Sequence, residues 1–318
     1  MSEARASSSI NPVYLVLIAV FLWSTGGLFI KLTTLDAYQV TFFRSLLAGL
    51  TVLILTRKNG LRINAFGLLV SCIYATLLFL FVWATKQTTA ANAIFLQYTA
   101  PVYILLLAPF VIGEKFHLRD LFTVIFCIGG MSLFFVGDLS VGDYQGNLAA
   151  LGSGIFLGLY IMLLKHPRAT GSLKTTCSAS IPDGHRAQGS VPPTSVKPIN
   201  PVITVIYGNF LLALVTLPSG AAALPVMTAL DLSAVAFLGV FQIGISYILF
   251  IKGVTGGTRP LDASIIGFIE PLLNPVWVFL FIGEAPSRWA LLGGTIIITT
   301  VVVHTITQYR KKPATSEP

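Results

Sequence analysis

The chain has 318 residues, of which 55% are hydrophobic and only 10% charged, and its mean hydropathy is +0.83. That composition excludes one or two soluble domains and describes an integral membrane protein. The formal net charge of +8 would suit a nucleic-acid partner only if it formed one basic face; it is instead sorted loop by loop, which excludes that class.

A helix needs about 20 apolar residues to cross the hydrocarbon core, and ten such stretches follow one another between charged or Gly/Pro-marked breaks. The first, 12–32, follows Arg5 as a signal peptide would, but it is too long and lacks a small-residue cleavage site, so it reads as a retained span. It carries Trp23 and Ser24. The second, 37–56, holds Arg44 about a third of the way in. The third is 64–85. The fourth, 91–112, contains Gln97, Tyr98 and Pro101 and stops at Gly113-Glu114. The fifth is 118–137. The sixth, 145–165, has Gly154 and Gly158 one turn apart, a spacing that lets helices approach closely. A polar stretch, His166 to Asn200, comes next; it is rich in Ser, Thr, Pro and Gly, shows no hydrophobic periodicity, and is expected to be a disordered linker. Asn209 lies in the seventh span, 201–218. Gln242 and Ser246 lie one turn apart in the eighth, 231–252. Glu270 falls near the middle of the ninth, 261–282, and the tenth is 287–307.

Of the 20 Lys and Arg, all but Lys31, Lys86, Arg288 and the span residue Arg44 fall on the side that carries the N-terminus. By the positive-inside rule that side is cytoplasmic, and ten crossings return the C-terminus to it. The expected location is the plasma membrane.

The chain also repeats itself. Pro101 is followed eleven residues later by Ile112-Gly113-Glu114, and Pro271 by Ile282-Gly283-Glu284. At that same offset Thr88 meets Thr258, Ala93 meets Ala263 and Leu121 meets Leu291. Upstream the offset shrinks to 165, with Leu46-Leu47-Ala48 matching Leu211-Leu212-Ala213, and to 134 where Lys31 is set against Lys165, as insertions of 5 and 31 residues in the second half require. Five spans per copy is an odd number, so the copies insert with opposite orientation. The expected fold is therefore all-α and integral to the membrane, ten helices in two inverted-topology repeats over 12–137 and 145–307. Such repeats recur in secondary transporters, whose halves rock about a midplane site.

Polar groups inside spans are the candidates for that site. A charged side chain at a helix centre costs about 2.5–3.5 kcal/mol on insertion scales, so it faces a cavity or a partner. Glu270 at the midplane cannot snorkel, and Gly267, Glu270, Asn274 and Trp277 share one face of a single helix by spacing. Gln97 is the polar group on the equivalent face of the fourth span. Trp23, Ser24, Arg44, Tyr98, Asn209, Gln242 and Ser246 complete the candidate substrate-binding set. Pro101 and Pro271 have no N–H for the carbonyls of Gln97 and Gly267, which frees both carbonyls beside the site and offers kinks. Pro275, one turn beyond Pro271, predicts a more distorted ninth span.

Other chemistries find little support. Cys72 and Cys127 lie in spans and Cys177 in the polar stretch, which is no disulfide framework. His117, His166, His185 and His304 have no metal-ligand spacing, no Walker A string occurs, and no nucleophile motif is present. An integral membrane enzyme and a pore are the alternatives to a carrier, and neither a cofactor nor a metal is expected.

The chain resembles the drug/metabolite transporter superfamily in its EamA-type branch. The resemblance rests on Trp23-Ser24, on Phe43-Arg44 followed by Leu46-Leu47-Ala48, on Tyr98-Thr99-Ala100-Pro101 running to Gly113-Glu114-Lys115, and on Ile269-Glu270-Pro271 running to Gly283-Glu284. It implies ten helices in two inverted units, a central cavity, and carrier movement of a small-molecule solute in a lipid bilayer. Amino acids or related metabolites, exported, are the substrates it favours. It leaves oligomeric state open.

Overall fold

A computed structural model of the chain describes residues 11–134, 136, 144–166, 168, 200–282 and 287–310, and within them the regular elements are helices. The first expected span is α1 (Pro12–Trp23) followed by α2 (Gly26–Leu32); the second is α3 (Ala37–Thr56) and the third α4 (Ala65–Gln87). α5 (Ala90–Gln97) and α6 (Ala100–Val111) share the fourth, before α7 (Leu118–Phe134), α8 (Tyr144–Leu163) and α9 (Ile203–Ala223). The eighth joins α10 (Ala229–Phe237), a π-helix (Leu238–Ile245) and α11 (Ser246–Thr255); the ninth holds α12 (Pro260–Gly267) and α13 (Ile269–Ile282), and the last is α14 (Arg288–Arg310). Among the described residues 8 helices are long and apolar enough to cross a membrane. The other two expected stretches correspond to α7, of 17 residues, and to α12 with α13, of 8 and 14. The polar stretch from 167 to 199, apart from Arg168, lies outside the described residues, as do Gly283 and Glu284.

Local chemistry fixes the ends. Asp36 accepts from the Gln39 N–H at 2.9 Å while the Gln39 side chain accepts from the Asp36 N–H at 3.0 Å, a capping box that starts α3. Thr228 and Asp231 start α10 in the same way. Gly113 adopts φ +68°, the left-handed stop expected after α6.

Breaks inside spans follow the prolines. α5 ends at Gln97 and α6 resumes at Ala100, with Pro101 in its first turn; α12 ends at Gly267 and α13 resumes at Ile269, with Pro271 in its first turn. Without its N–H, proline cannot close the preceding turn, so the helix restarts. The rings of Tyr98 and Phe268, one in each break, lie 5.5 Å apart at the bundle centre. Two expectations need correction here. α13 runs unbroken past Pro275, so the second proline adds no break to the ninth span; and Gly267 and Glu270 belong to two helices, not to one continuous face. A third break, at Ser24-Thr25, has no proline. There the hydroxyls of Ser24 and Thr25 donate to the carbonyls of Phe21 and Leu22, competing with the helical ladder ahead of Gly26-Gly27.

The most extensive packing joins α3 to α9, α4 to α8, α7 to α14, α3 to the π-helix and α1 to α11. α8 also crosses both halves of the broken fourth span. A Cβ at Gly154 would stand 2.8 Å from the Gln97 carbonyl oxygen, and one at Gly158 would stand 3.1 Å from that of Ala100. The two glycines thus let α8 close over the carbonyl that Pro101 leaves without its helical donor.

Candidate functional site

Where the broken spans meet, Trp23, Arg44, Gln97, Tyr98, Gln242 and Glu270 line one central cavity together with Leu78, Phe81, Leu157, Ile243 and Tyr247. Its volume of about 30 Å³ has room for a water or two. An organic solute requires the surrounding helices to move apart.

Most polar atoms on this wall are held by protein. The Tyr98 hydroxyl donates to Glu270 Oε2 at 2.6 Å. Gln97 Nε2 donates to Ser153 Oγ at 2.7 Å, and that hydroxyl donates on to the Leu77 carbonyl at 3.2 Å. Trp23 Nε1 donates to Ser246 Oγ at 2.8 Å. Ser246 in turn donates to the Gln242 carbonyl, fastening the first turn of α11 to the π-helix.

Arg44 differs. It is completely buried, and one long hydrogen bond of 3.4 Å joins its Nη2 to the Leu78 carbonyl, while Nε and Nη1 have no partner among the described residues. Among those residues, too, no carboxylate lies within ion-pair distance of Arg44, and Glu270 is bonded instead to Tyr98. The Arg44 guanidinium and the Glu270 carboxyl line one cavity without forming an ion pair.

The remaining candidates stand behind the wall. Ser24 accepts from Trp277 Nε1 at 3.0 Å, and the Trp277 ring sits edge-on to Phe21 at 5.5 Å. Asn209 donates to the Tyr74 hydroxyl at 3.1 Å and to the Val205 carbonyl at 2.8 Å. Gly267 gives room to Tyr98, whose Cε1 would lie 3.0 Å from a Cβ there. Asn274 lies in α13, and its side chain is outside the described residues. Sequence reading missed Tyr247, which lines the cavity and packs against Trp23 at 4.9 Å and Tyr74 at 4.9 Å. Its one available signal was its place beside Ser246, and a lone aromatic in an apolar span carries little information.

A second polar cluster closes one end of the bundle. Arg259, ahead of α12, donates to Asp120 Oδ2 of α7 at 2.8 Å and stands 3.7 Å from Glu114 and 3.8 Å from Asp262. His304 of α14 bonds Asp262 at 2.9 Å and the Thr123 hydroxyl at 3.2 Å. Burial lifts the Glu114 carboxyl above its ordinary range, against the pull of Arg259. Burial would lower Arg259, but the carboxylates of Asp262, Asp120 and Glu114 outweigh it and hold the guanidinium above its usual value. Glu114 therefore belongs to a bridge between chain halves and not to the cavity.

Comparison with known proteins fits this architecture. The EamA-like transporter family matches residues 11–136 and 193–306. The human protein "Solute carrier family 35 member G1" is 26% identical over 172 residues, which is 48% of this chain and 47% of that protein; the mouse protein of that name is 23% identical over the same shares. The chain thus spans about half the length of those relatives. The "Uncharacterized transporter YwfM" of Bacillus subtilis (strain 168) is 25% identical over 317 residues, 94% of this chain and 95% of that one. A solved crystal structure 17% identical superposes with a TM-score of 0.70 over 94% of this chain and 98% of its own, a likeness of fold.

Proposed function

The chain belongs to the EamA-like transporter family, and from that premise we propose that it is a secondary carrier exporting amino acids or related zwitterionic metabolites across the plasma membrane by alternating access. Arg44 and Glu270 carry this reading: two opposite charges, both buried, on one cavity and not paired with each other. A zwitterion answers both, its carboxylate at Arg44 and its ammonium at Glu270, and so offsets the desolvation that each charge bears alone.

The proposed framework is ten spans in two inverted repeats, 12–137 and 145–307, with both termini cytoplasmic. Two features support it. The breaks at Tyr98 and Phe268 occupy equivalent positions of the repeat. The packing is also paired as a two-fold relation requires: α4 lies on α8 as α11 lies on α1, α5 and α6 meet α8 as α12 and α13 meet α1, and α3·α9 and α7·α14 are their own images. The breaks supply hinges beside the cavity, and rocking of one repeat on the other would widen it toward each face in turn.

Proteoliposomes loaded with unlabelled L-alanine and diluted into labelled L-alanine test this. A carrier gives saturable, trans-stimulated accumulation of chemically unchanged alanine. Flux linear in concentration would indicate a pore, and recovery of a modified product an enzyme.

A further inference from the structure

The polar atoms of the cavity divide into those already held by protein and those that are not. Trp23, Gln97 and Tyr98 each donate to another side chain. Three buried atoms of the lining have no partner among the described residues: Nε and Nη1 of Arg44 and Oε1 of Gln242. The first two are cationic donors; the third is an acceptor. Their combined demand is for a ligand with an anionic group at one end and an N–H at the other.

Two features of the backbone aim Gln242. It lies in the π-helix, where each turn gains a residue relative to an α-helix and side chains move out of helical register, a feature frequent at functional sites. Its amide rests on the bare Cα of Gly26, just beyond the Ser24-Thr25 break: a Cβ built at Gly26 would stand 2.6 Å from Gln242 Nε2 and 3.2 Å from Cδ. No side chain larger than hydrogen at position 26 leaves the amide where it is. The break in the first span and the π-helix of the eighth thus converge on the orientation of one amide.

We propose that Gln242 reads the amino end of the solute, accepting its N–H beside Glu270, and that Gly26 is the positioning residue that holds the amide in the cavity. The inference rests on the zwitterion reading above and deepens it: Arg44 discriminates for the carboxylate, Gln242 for the ammonium, and the two discriminations are separable.

Separability is the test. In the counterflow assay with the full chain, unlabelled propionate, which lacks the amine, and L-alanine methyl ester, which lacks the carboxylate, compete against labelled L-alanine. Wild-type protein prefers alanine to both. Gln242→Leu and Gly26→Ala reduce the preference over propionate by about tenfold, the loss of one hydrogen bond to a charged group, and leave the preference over the ester in place. Arg44→Gln does the reverse. Gly26→Ala alters no polar group and need only displace a flexible side chain, so it decides the matter where Gln242→Leu fails to fold; Gln242→Glu, which keeps an acceptor, retains the preference for the amine. Equal loss of both preferences in Gly26→Ala and Gln242→Leu, or of neither, overturns the role of Gln242 alone. Wild-type protein that takes none of the three compounds overturns the zwitterion reading and this one with it.

Discussion

Arg44 illustrates how a single residue can be legible in sequence while its condition is not. A charge inside an apolar stretch announces a cavity or a partner on insertion cost alone, but whether it met Glu270 depended on the rotamers of two side chains from helices far apart in the chain. The structure separates them and gives Glu270 to Tyr98. Replacing Glu270 with Gln keeps the shape and an acceptor for the Tyr98 hydroxyl, so the variant should insert and express as the parent does while its exchange rate falls by about tenfold or more, the loss of one charged contact. Normal exchange by Glu270→Gln would make the carboxylate structural. Tyr98→Phe separates the partner from the charge: it removes the 2.6 Å hydrogen bond but no ionisable carboxylate, and should slow exchange by less than Glu270→Gln in the same assay.

At the scale of elements, proline and glycine do complementary work. Pro101 and Pro271 open the fourth and ninth spans, and Gly154 lets α8 close over the result. Because the atom facing Gly154 is the Gln97 backbone oxygen, only 2.8 Å from where a Cβ would stand, no side-chain rotation relieves a substitution. Gly154→Val should cost enough packing to lower the yield of monodisperse protein in detergent, whereas Gly129→Ala, where a Cβ meets nothing, should not. The bridge at Arg259 is the second element-scale feature. Arg259→Gln leaves the buried Asp120 carboxylate without its cation and should destabilise by about 1–3 kcal/mol, read as a lowered thermal midpoint that Asp120→Asn partly restores. Glu114 adds a pH dependence. Its folded value is raised above 4.5 by burial, so the fold favours the protonated form; that contribution is complete below about pH 4.5 and is lost as pH rises through the raised value. Glu114→Gln should remove this step from a plot of thermal midpoint against pH above about 4.5, while leaving the rest of the profile as it was.

For the whole molecule, the arrangement follows from charge outside the membrane and pairing inside it. The basic loops predict that a cysteine placed at Lys174 of a cysteine-free variant reacts with an impermeant maleimide only from the cytoplasmic face, and one placed at Ser140 only from outside. Labelling of position 174 from outside would reverse the assigned orientation. The packing pairs α4·α8, α1·α11, α3·α9 and α7·α14 each join an element of the first half of the chain to one of the second.

Sequence by itself determined the medium, the helical class, the sites of the proline breaks and the identity of the polar residues at the core, because each follows from local chemistry: hydropathy over about 20 residues, a missing N–H, the cost of a charge in lipid. It also marked Glu270 and Arg44, whose types are conspicuous against an apolar background. Only the tertiary structure decided which of those residues share a wall. Gly267 and Glu270 were divided by the break at Phe268, Ser24 and Asn209 were turned to Trp277 and Tyr74, and Tyr247, unremarkable in its own span, was brought to the cavity. The partner of a buried polar atom is set by whichever helix packs against it, and that helix is chosen by the summed fit of its whole face, a quantity no short window of sequence contains.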